Sequence, residues 1–186
     1  MSSRPLHLVP VDLEKVRSER HPMTAEELVT NLFVEARDDV YRYLLTLGLH
    51  PPQAQEATQE VFLRLYVTLR KGEDLQSPRA WVFRVAHNHG LNVRAKENGN
   101  RMYTAELPER PDPCQLSPEQ SLLERERLSI LKEAVASLSE QQRQCLYLRS
   151  EGFRYREIAE IMGIGTSTVG EFLRRGVSRL KRVRHE

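Results

Sequence analysis

The sequence predicts an all-α protein: two small helical domains joined by a flexible linker, the second with a helix-turn-helix. Three observations carry this. Apolar residues recur at helical spacing in successive stretches that open on capping residues and close on glycine. No stretch alternates apolar and polar residues as a half-buried strand does. The stretch "ENGNRMYTAELPERPDPCQL", Glu97 to Leu116, interrupts the helical pattern with three prolines, two asparagines and a glycine. At roughly 150 residues per domain, a chain of 186 residues has room for one or two small cores.

Residues 1–22 mix charges and prolines without sustained periodicity and read as a flexible extension. A helical bundle follows over residues 23–96. Thr24 with Glu27 forms a capping box, and Leu28, Leu32, Ala36, Val40, Tyr43, Leu44 and Leu47 then follow at helical spacing until Gly48. Pro51 and Pro52 reset the chain. A second helix is expected from about Gln53 to Leu69, with Ala54, Ala57, Val61, Phe62, Leu65 and Leu69 inward and Gln55, Glu56, Gln59 and Glu60 outward. After a loop over Lys71 to Gln76, Ser77 as N-cap and Pro78 as first residue open a third helix, about Arg79 to Lys96. Trp81, Val82, Val85, Ala86 and His89 are expected inward. Arg84, Asn88, Asn92 and Lys96 recur every four residues and form one polar stripe.

The linker is assigned to residues 97–116 and the second helical domain to 117–186. There, Ser117 to Gln120 start a helix carrying Leu123, Leu128, Leu131, Val135 and Leu138, and Ser139 with Gln142 caps another that ends at Gly152. In "YREIAEIMGIGTSTVGEFLRRG", Tyr155 to Gly176, Ile158, Ala159 and Met162 share one face, Gly163 supplies the turn, and Ile164, Val169 and Phe172 pack a second helix on the first. That is helix-turn-helix spacing. Thr166 is expected to cap the second helix, whose start would bring Ser167, Thr168, Gly170 and Glu171 to base edges in a major groove. Arg174, Arg175 and Arg179 lie further along and suit phosphates, which position a protein without specifying sequence.

Charge and composition narrow the function. A formal net charge of +2 argues against coating nucleic acid by bulk electrostatics. Local polarity matters more: Glu119, Glu124, Glu126 and Glu133 precede a basic end with Arg174, Arg175, Arg179, Lys181, Arg182 and Arg184. Cys114 and Cys145 give neither a disulfide framework nor paired CxxC spacing. No apolar stretch approaches the roughly 18 residues of a membrane span, and the start lacks a signal-peptide core, so a cytoplasmic protein is expected. No catalytic constellation is present: HExxH, Gly-rich phosphate loops and G-x-S-x-G are missing, and His87 and His89, two apart, sit about 200° around a helix. Neither enzyme activity, cofactor, metal site nor small-molecule substrate is expected.

"AQEATQEVFLRLY" (Ala54 to Tyr66), then "SPRAWVFRVAHNHGLNVRAKEN" (Ser77 to Asn98), then the capped helices with their helix-turn-helix, resemble in order and spacing a bacterial RNA polymerase sigma factor of the extracytoplasmic-function (ECF) type. The resemblance spans about Glu27 to Arg182. It implies that the first bundle binds the clamp helices of the polymerase's largest subunit through Glu56, Gln59 and Glu60, with Phe62 and Tyr66 supporting or extending that surface. It further implies that Arg84, Asn88 and Asn92 contact the minus-ten promoter element as it is opened, with the Lys71 to Gln76 loop holding an extruded base. An asparagine offers donor and acceptor together to a base edge, which suits that task. The second domain would read the minus-thirty-five element with Ser167, Thr168, Gly170, Glu171, Arg174 and Arg175. Gly170 and Glu171 depart from the family's common lysine and serine, so base preference does not carry over. The resemblance also implies a linker threaded toward the polymerase's channels and a separate anti-sigma factor as regulator.

The rival reading is an autonomous operator-binding regulator whose first bundle senses a ligand or dimerises. That protein would bind a palindromic duplex tightly by itself. A sigma factor depends on core polymerase and reads a two-part asymmetric promoter.

Overall fold

The computed structural model describes residues 23–97 and 132–183. The extension over residues 1–22, the linker over 97–116 (beyond its first residue) and the helix expected from Ser117 fall outside the described residues, apart from a short helical stretch over 132–136.

Helix α1, Ala25–Thr46, begins on the expected capping box: the Glu27 N–H donates to Thr24 Oγ1 at 3.2 Å, and the Thr24 N–H donates to Glu27 Oε2 at 2.9 Å. Gly48, at φ +90°, turns the chain out of the helix, and the Leu49 N–H returns to the Leu44 carbonyl. Helix α2, Pro51–Arg70, starts two residues earlier than the sequence suggests. Pro51 and Pro52 are its first two residues, where a missing N–H removes no intrahelical bond, and the His50 N–H is satisfied by Gln53 Oε1 at 3.0 Å. Helix α3, Pro78–Glu97, opens with the Ala80 N–H donating to Ser77 Oγ.

The inward face of α3 is rotated from expectation. Val82, Phe83, Ala86 and His87 are buried, whereas Trp81, Val85 and His89 are only half-buried. The cause is tertiary: α3 is flanked by α1 and α2 on one side and by a helix of the second group on the other. Gly90 makes the first approach possible, because a Cβ there would stand 2.8 Å from Leu47 Cδ1 and 3.0 Å from Leu44 Cδ2.

The second group contains α4 (Glu140–Ser150), α5 (Tyr155–Met162) and α6 (Thr166–Val183). The expected box at α4 is present, with the Gln142 N–H donating to Ser139 Oγ at 3.3 Å and the Ser139 N–H donating to Gln142 Oε1 at 3.1 Å. Helices α5 and α6 form the helix-turn-helix. Gly163 sits at φ +66°, the left-handed region the turn requires, and Ile158, Ala159, Ile161, Val169 and Leu173 fill the angle between them. Thr166 is not the cap. It is the first residue of α6, and Gly165 holds the cap position, its carbonyl accepting the Val169 N–H at 3.1 Å.

Two helical glycines predict opposite stability effects. Gly90→Val adds bulk between Leu47 and Leu44 and should lower stability by about 1–3 kcal/mol through overpacking. Gly170→Ala meets only Tyr155 Cε2 at an ordinary 3.8 Å and should raise it by about 0.5–1 kcal/mol through helix propensity. Urea denaturation of both variants checks the signs.

The two groups share one apolar core. Ring centroids of Phe83 and Phe153 lie 4.9 Å apart edge to face, and those of Tyr43 and Tyr147 lie 5.7 Å apart. The Tyr147 hydroxyl donates to the Asp39 carbonyl at 2.8 Å. Cys145 is fully buried beside Met162, and burial pushes its thiol up to about 11.

Candidate nucleic-acid interface

Helix α3 separates two chemistries by its faces. Its buried side holds His87, whose Nδ1 lies 2.8 Å from the Tyr43 hydroxyl inside the core. Burial raises the pKa of the Tyr43 phenol and lowers that of the His87 imidazole, so Tyr43 donates to an unprotonated Nδ1. The opposite side exposes Arg84, Asn88, Asn92 and Lys96, each one helical turn from the next. The polar stripe therefore stands on a helix whose other side is fixed by packing.

The His87 environment has a pH consequence. Above the ordinary histidine value the side chain is neutral whether folded or unfolded, and no difference arises. As pH falls below about 6.5, the unfolded chain takes up the proton first, because the folded pKa is depressed. Stability should therefore fall between about pH 6.5 and 5, and the fall should shrink in His87→Gln. Glu140, held below the ordinary carboxylate value by its hydrogen bond from Arg94, contributes stability that is lost only at lower pH. Denaturation midpoints measured across this range separate the two.

On α2, Glu56 and Gln59 are exposed and Glu60 is half-buried, its carboxylate accepting from Arg64 Nε at 2.7 Å. Phe62 does not reach this surface. It is 4% exposed and packs edge to face on Phe33 at 5.0 Å, so it can only support the helix from beneath. Tyr66 is half-buried and turns toward α1, its hydroxyl donating to Glu26 Oε1 at 3.1 Å. The sequence reading missed Leu63 and Val67, which are 57% and 43% exposed. With Glu60, Arg64, Thr68, Lys71, Trp81 and Val85 they line a shallow groove of about 400 Å³ between α2 and α3. The available signal was their phase: both fall on the polar side of an amphipathic helix.

In the second group, Ser167, Glu171, Arg174 and Arg175 are exposed along α6, and Thr168 and Gly170 are half-buried at its start. Glu171 and Arg175 pair with each other one turn apart. Arg179 is turned back, its Nη1 donating to the Ser137 carbonyl at 2.8 Å. Gly176, whose added Cβ would stand 2.9 Å from Leu146 Cδ1, lets α6 lie close on α4, which gives this glycine a packing role.

Among the described residues no group of three or more His, Cys, Asp or Glu side chains is placed to hold a metal, and no helix is long and apolar enough to cross a membrane.

The described residues are helices and their connections, with a helix-turn-helix and a separate exposed polar stripe, an arrangement suited to binding DNA. Residues 32–99 match the family described as Sigma-70 region 2, and residues 128–180 match Sigma-70, region 4. The RNA polymerase sigma factor YlaC of Bacillus subtilis (strain 168) is 24% identical over 164 residues, covering 86% of this chain and 94% of that protein. The ECF RNA polymerase sigma factor BldN of Streptomyces coelicolor is 29% identical over 163 residues, covering 82% of this chain and 58% of BldN. The same fold occurs in the sigma factor RpoE solved with the anti-sigma factor NepR from Bartonella quintana, with a TM-score of 0.61 at 18% identity over 83% of this chain and 94% of that one. It occurs again in CnrH solved with the cytosolic domain of CnrY, with a TM-score of 0.56 at 17% identity over 85% and 88%. The chain belongs to the sigma-70 family, as a sigma factor of the extracytoplasmic-function type. It is a promoter-specificity subunit that binds RNA polymerase, and no enzymatic family is indicated.

Proposed function

We propose that the two functions of this sigma factor divide between the faces described above. Residues 23–96 act as the unit that binds the polymerase clamp helices and opens the minus-ten element, and residues 117–186 as the unit that reads the minus-thirty-five element, with 97–116 connecting them. The observation that carries the reading is the stripe of Arg84, Asn88 and Asn92, exposed on a helix whose opposite face is buried. An unstacked base needs a rigid surface with both donors and acceptors, and this helix supplies one.

Polymerase contact is assigned to Glu56, Gln59 and Glu60, with Tyr66 at the edge and Phe62 holding the helix from within. Leu63 and Val67 add an apolar strip beside those polar groups. Promoter duplex is assigned to Ser167, Thr168, Gly170, Glu171, Arg174 and Arg175. At Gly170 only backbone can approach DNA, and Glu171 meets base edges as an acceptor only when released from Arg175. Catalysis stays with the polymerase. The protein works in the cytoplasm, and a separate anti-sigma factor controls it, as anti-sigma factors accompany the solved RpoE.

Run-off transcription from a genomic promoter library tests this with core polymerase alone, this protein alone, and both together. New transcripts that need both and share a two-block upstream sequence are expected. Tight binding of a palindromic duplex by the protein alone, with no new start sites, would instead identify an autonomous regulator.

A further inference from the structure

Exposed apolar side chains of the first bundle gather where the described chain begins. Met23 is 54% exposed, and three residues on, Glu26 Oε1 accepts from the Tyr66 hydroxyl at 3.1 Å. Tyr66 lies one turn from Leu63 on α2. Helix α1 therefore starts beside the apolar strip of the α2–α3 groove, which Leu63 and Val67 line from α2 and Trp81 and Val85 from α3. The rim of this strip is cationic on balance. Arg64 and Lys71 line the groove, and the Arg70 guanidinium stands 5.8 Å from the Tyr66 ring centroid. Against them the lining offers one carboxylate, Glu60, already bonded to Arg64. An apolar strip with such a rim fits an occupant that is itself apolar and acidic.

The chain carries such a stretch just ahead of Met23. Residues 5–14 hold Leu6, Leu8, Val9, Val11 and Leu13 with Asp12 and Glu14, and neither lysine nor arginine. We propose that this stretch is the occupant of the α2–α3 groove: in the free protein residues 5–14 dock against Leu63, Val67 and Trp81, and core polymerase must displace them. The displacement rests on the assignment of α2 to polymerase contact above; the docking does not. Pro5 and Pro10 fix φ and lack a donor, which suits an extended run. In such a run Val9, Val11 and Leu13 share one edge and face the strip, while Asp12 and Glu14 alternate with them and meet Arg64, Arg70 and Lys71.

The lengths agree. The groove follows α2 from Glu60 to Lys71, about 17 Å at 1.5 Å per residue, and ten extended residues span about 33 Å. From Met23 back to Glu14 the chain reaches up to about 30 Å, and it sets out from beside Tyr66. The effective concentration of a segment tethered this closely is on the order of millimolar, so weak docking suffices to fill the groove.

Trp81 is the sole tryptophan of the chain and lines this groove, so its fluorescence reads occupancy in the full chain without polymerase or DNA. Val9→Asp with Val11→Asp should shift its emission to the red and roughly double its quenching by iodide. Asp12→Lys with Glu14→Lys should do the same while keeping every apolar side chain, and a synthetic peptide of residues 5–14 added to either variant should restore the shielding. Core polymerase should bind both variants about tenfold more tightly than the parent, the factor expected when nine grooves in ten are occupied. Trp81 signals unchanged in both variants would overturn the docking. Shielding that grows with protein concentration would overturn it as well, by assigning the groove to a second copy. Trp81 exposed as expected, with core affinity unchanged, would overturn the polymerase assignment of α2 and leave the docking standing.

Discussion

Phe83→Ala is expected to be the most damaging single substitution in the described core. The ring is fully buried and touches three chemistries at once: Tyr43 at 5.6 Å, Phe153 at 4.9 Å, and the Arg79 guanidinium above it. Truncation removes a transfer contribution and leaves a cavity that helices on both sides cannot readily collapse, at a cost of about 3–5 kcal/mol. The lost edge-to-face contact is worth roughly 0.5–1.5 kcal/mol on double-mutant cycles and overlaps with that figure. Against a total stability of about 5–15 kcal/mol, one side chain would then carry about a fifth or more. Urea denaturation followed by far-ultraviolet circular dichroism should show the midpoint fall, with Phe83→Leu recovering most of the loss. A loss below about 1 kcal/mol would mean that Phe83 is not the shared core residue described here.

The importance of Phe83 could not be read from the sequence, and the reason is physical. Local signals report local structure: the Thr24–Glu27 and Ser139–Gln142 boxes, the turn at Gly163 and the stop at Gly48 all depend on residues within a few positions, and each stands where the sequence puts it. The burial of α3 depends on partners far along the chain. Phe153 and Glu151 lie 70 and 72 positions from the residues they meet, so a one-face amphipathic reading assigns Trp81 and His89 inward and overlooks Phe83 and His87. Phe62 shows the converse limit. Its spacing made it a core residue and its place in a motif made it a surface candidate, and only the Phe33 ring decides between them. At α6, Thr166 has the chemistry of a cap, but the turn delivers Gly165 to that position. The polar stripe was legible because four side chains spaced by four residues must share a face of any α-helix, whatever packs behind it.

That same geometry gives the substitution with the largest expected effect on function. Asn88→Ala with Asn92→Ala removes two amides, one helical turn apart, from an exposed face whose opposite side stays anchored by Val82, Phe83 and Ala86. Neither amide is in the core, so stability should change by no more than about 0.5 kcal/mol. If each amide holds an unpaired minus-ten base, its loss costs about 1–3 kcal/mol of discrimination, and together they should lower open-complex formation by about thirtyfold at the conservative end of that range. Affinity for core polymerase should stay near that of the parent, because the assigned clamp contacts lie on α2. Gln59→Ala with Glu60→Ala provides the mirror case: core binding should weaken first, and at saturating protein the melted fraction should recover. Permanganate footprinting of the opened strand, paired with core-binding titrations, separates the two steps. If the asparagine pair weakens core binding and the α2 pair weakens melting, the assignments of α2 and α3 must be exchanged, although the chain remains a sigma factor.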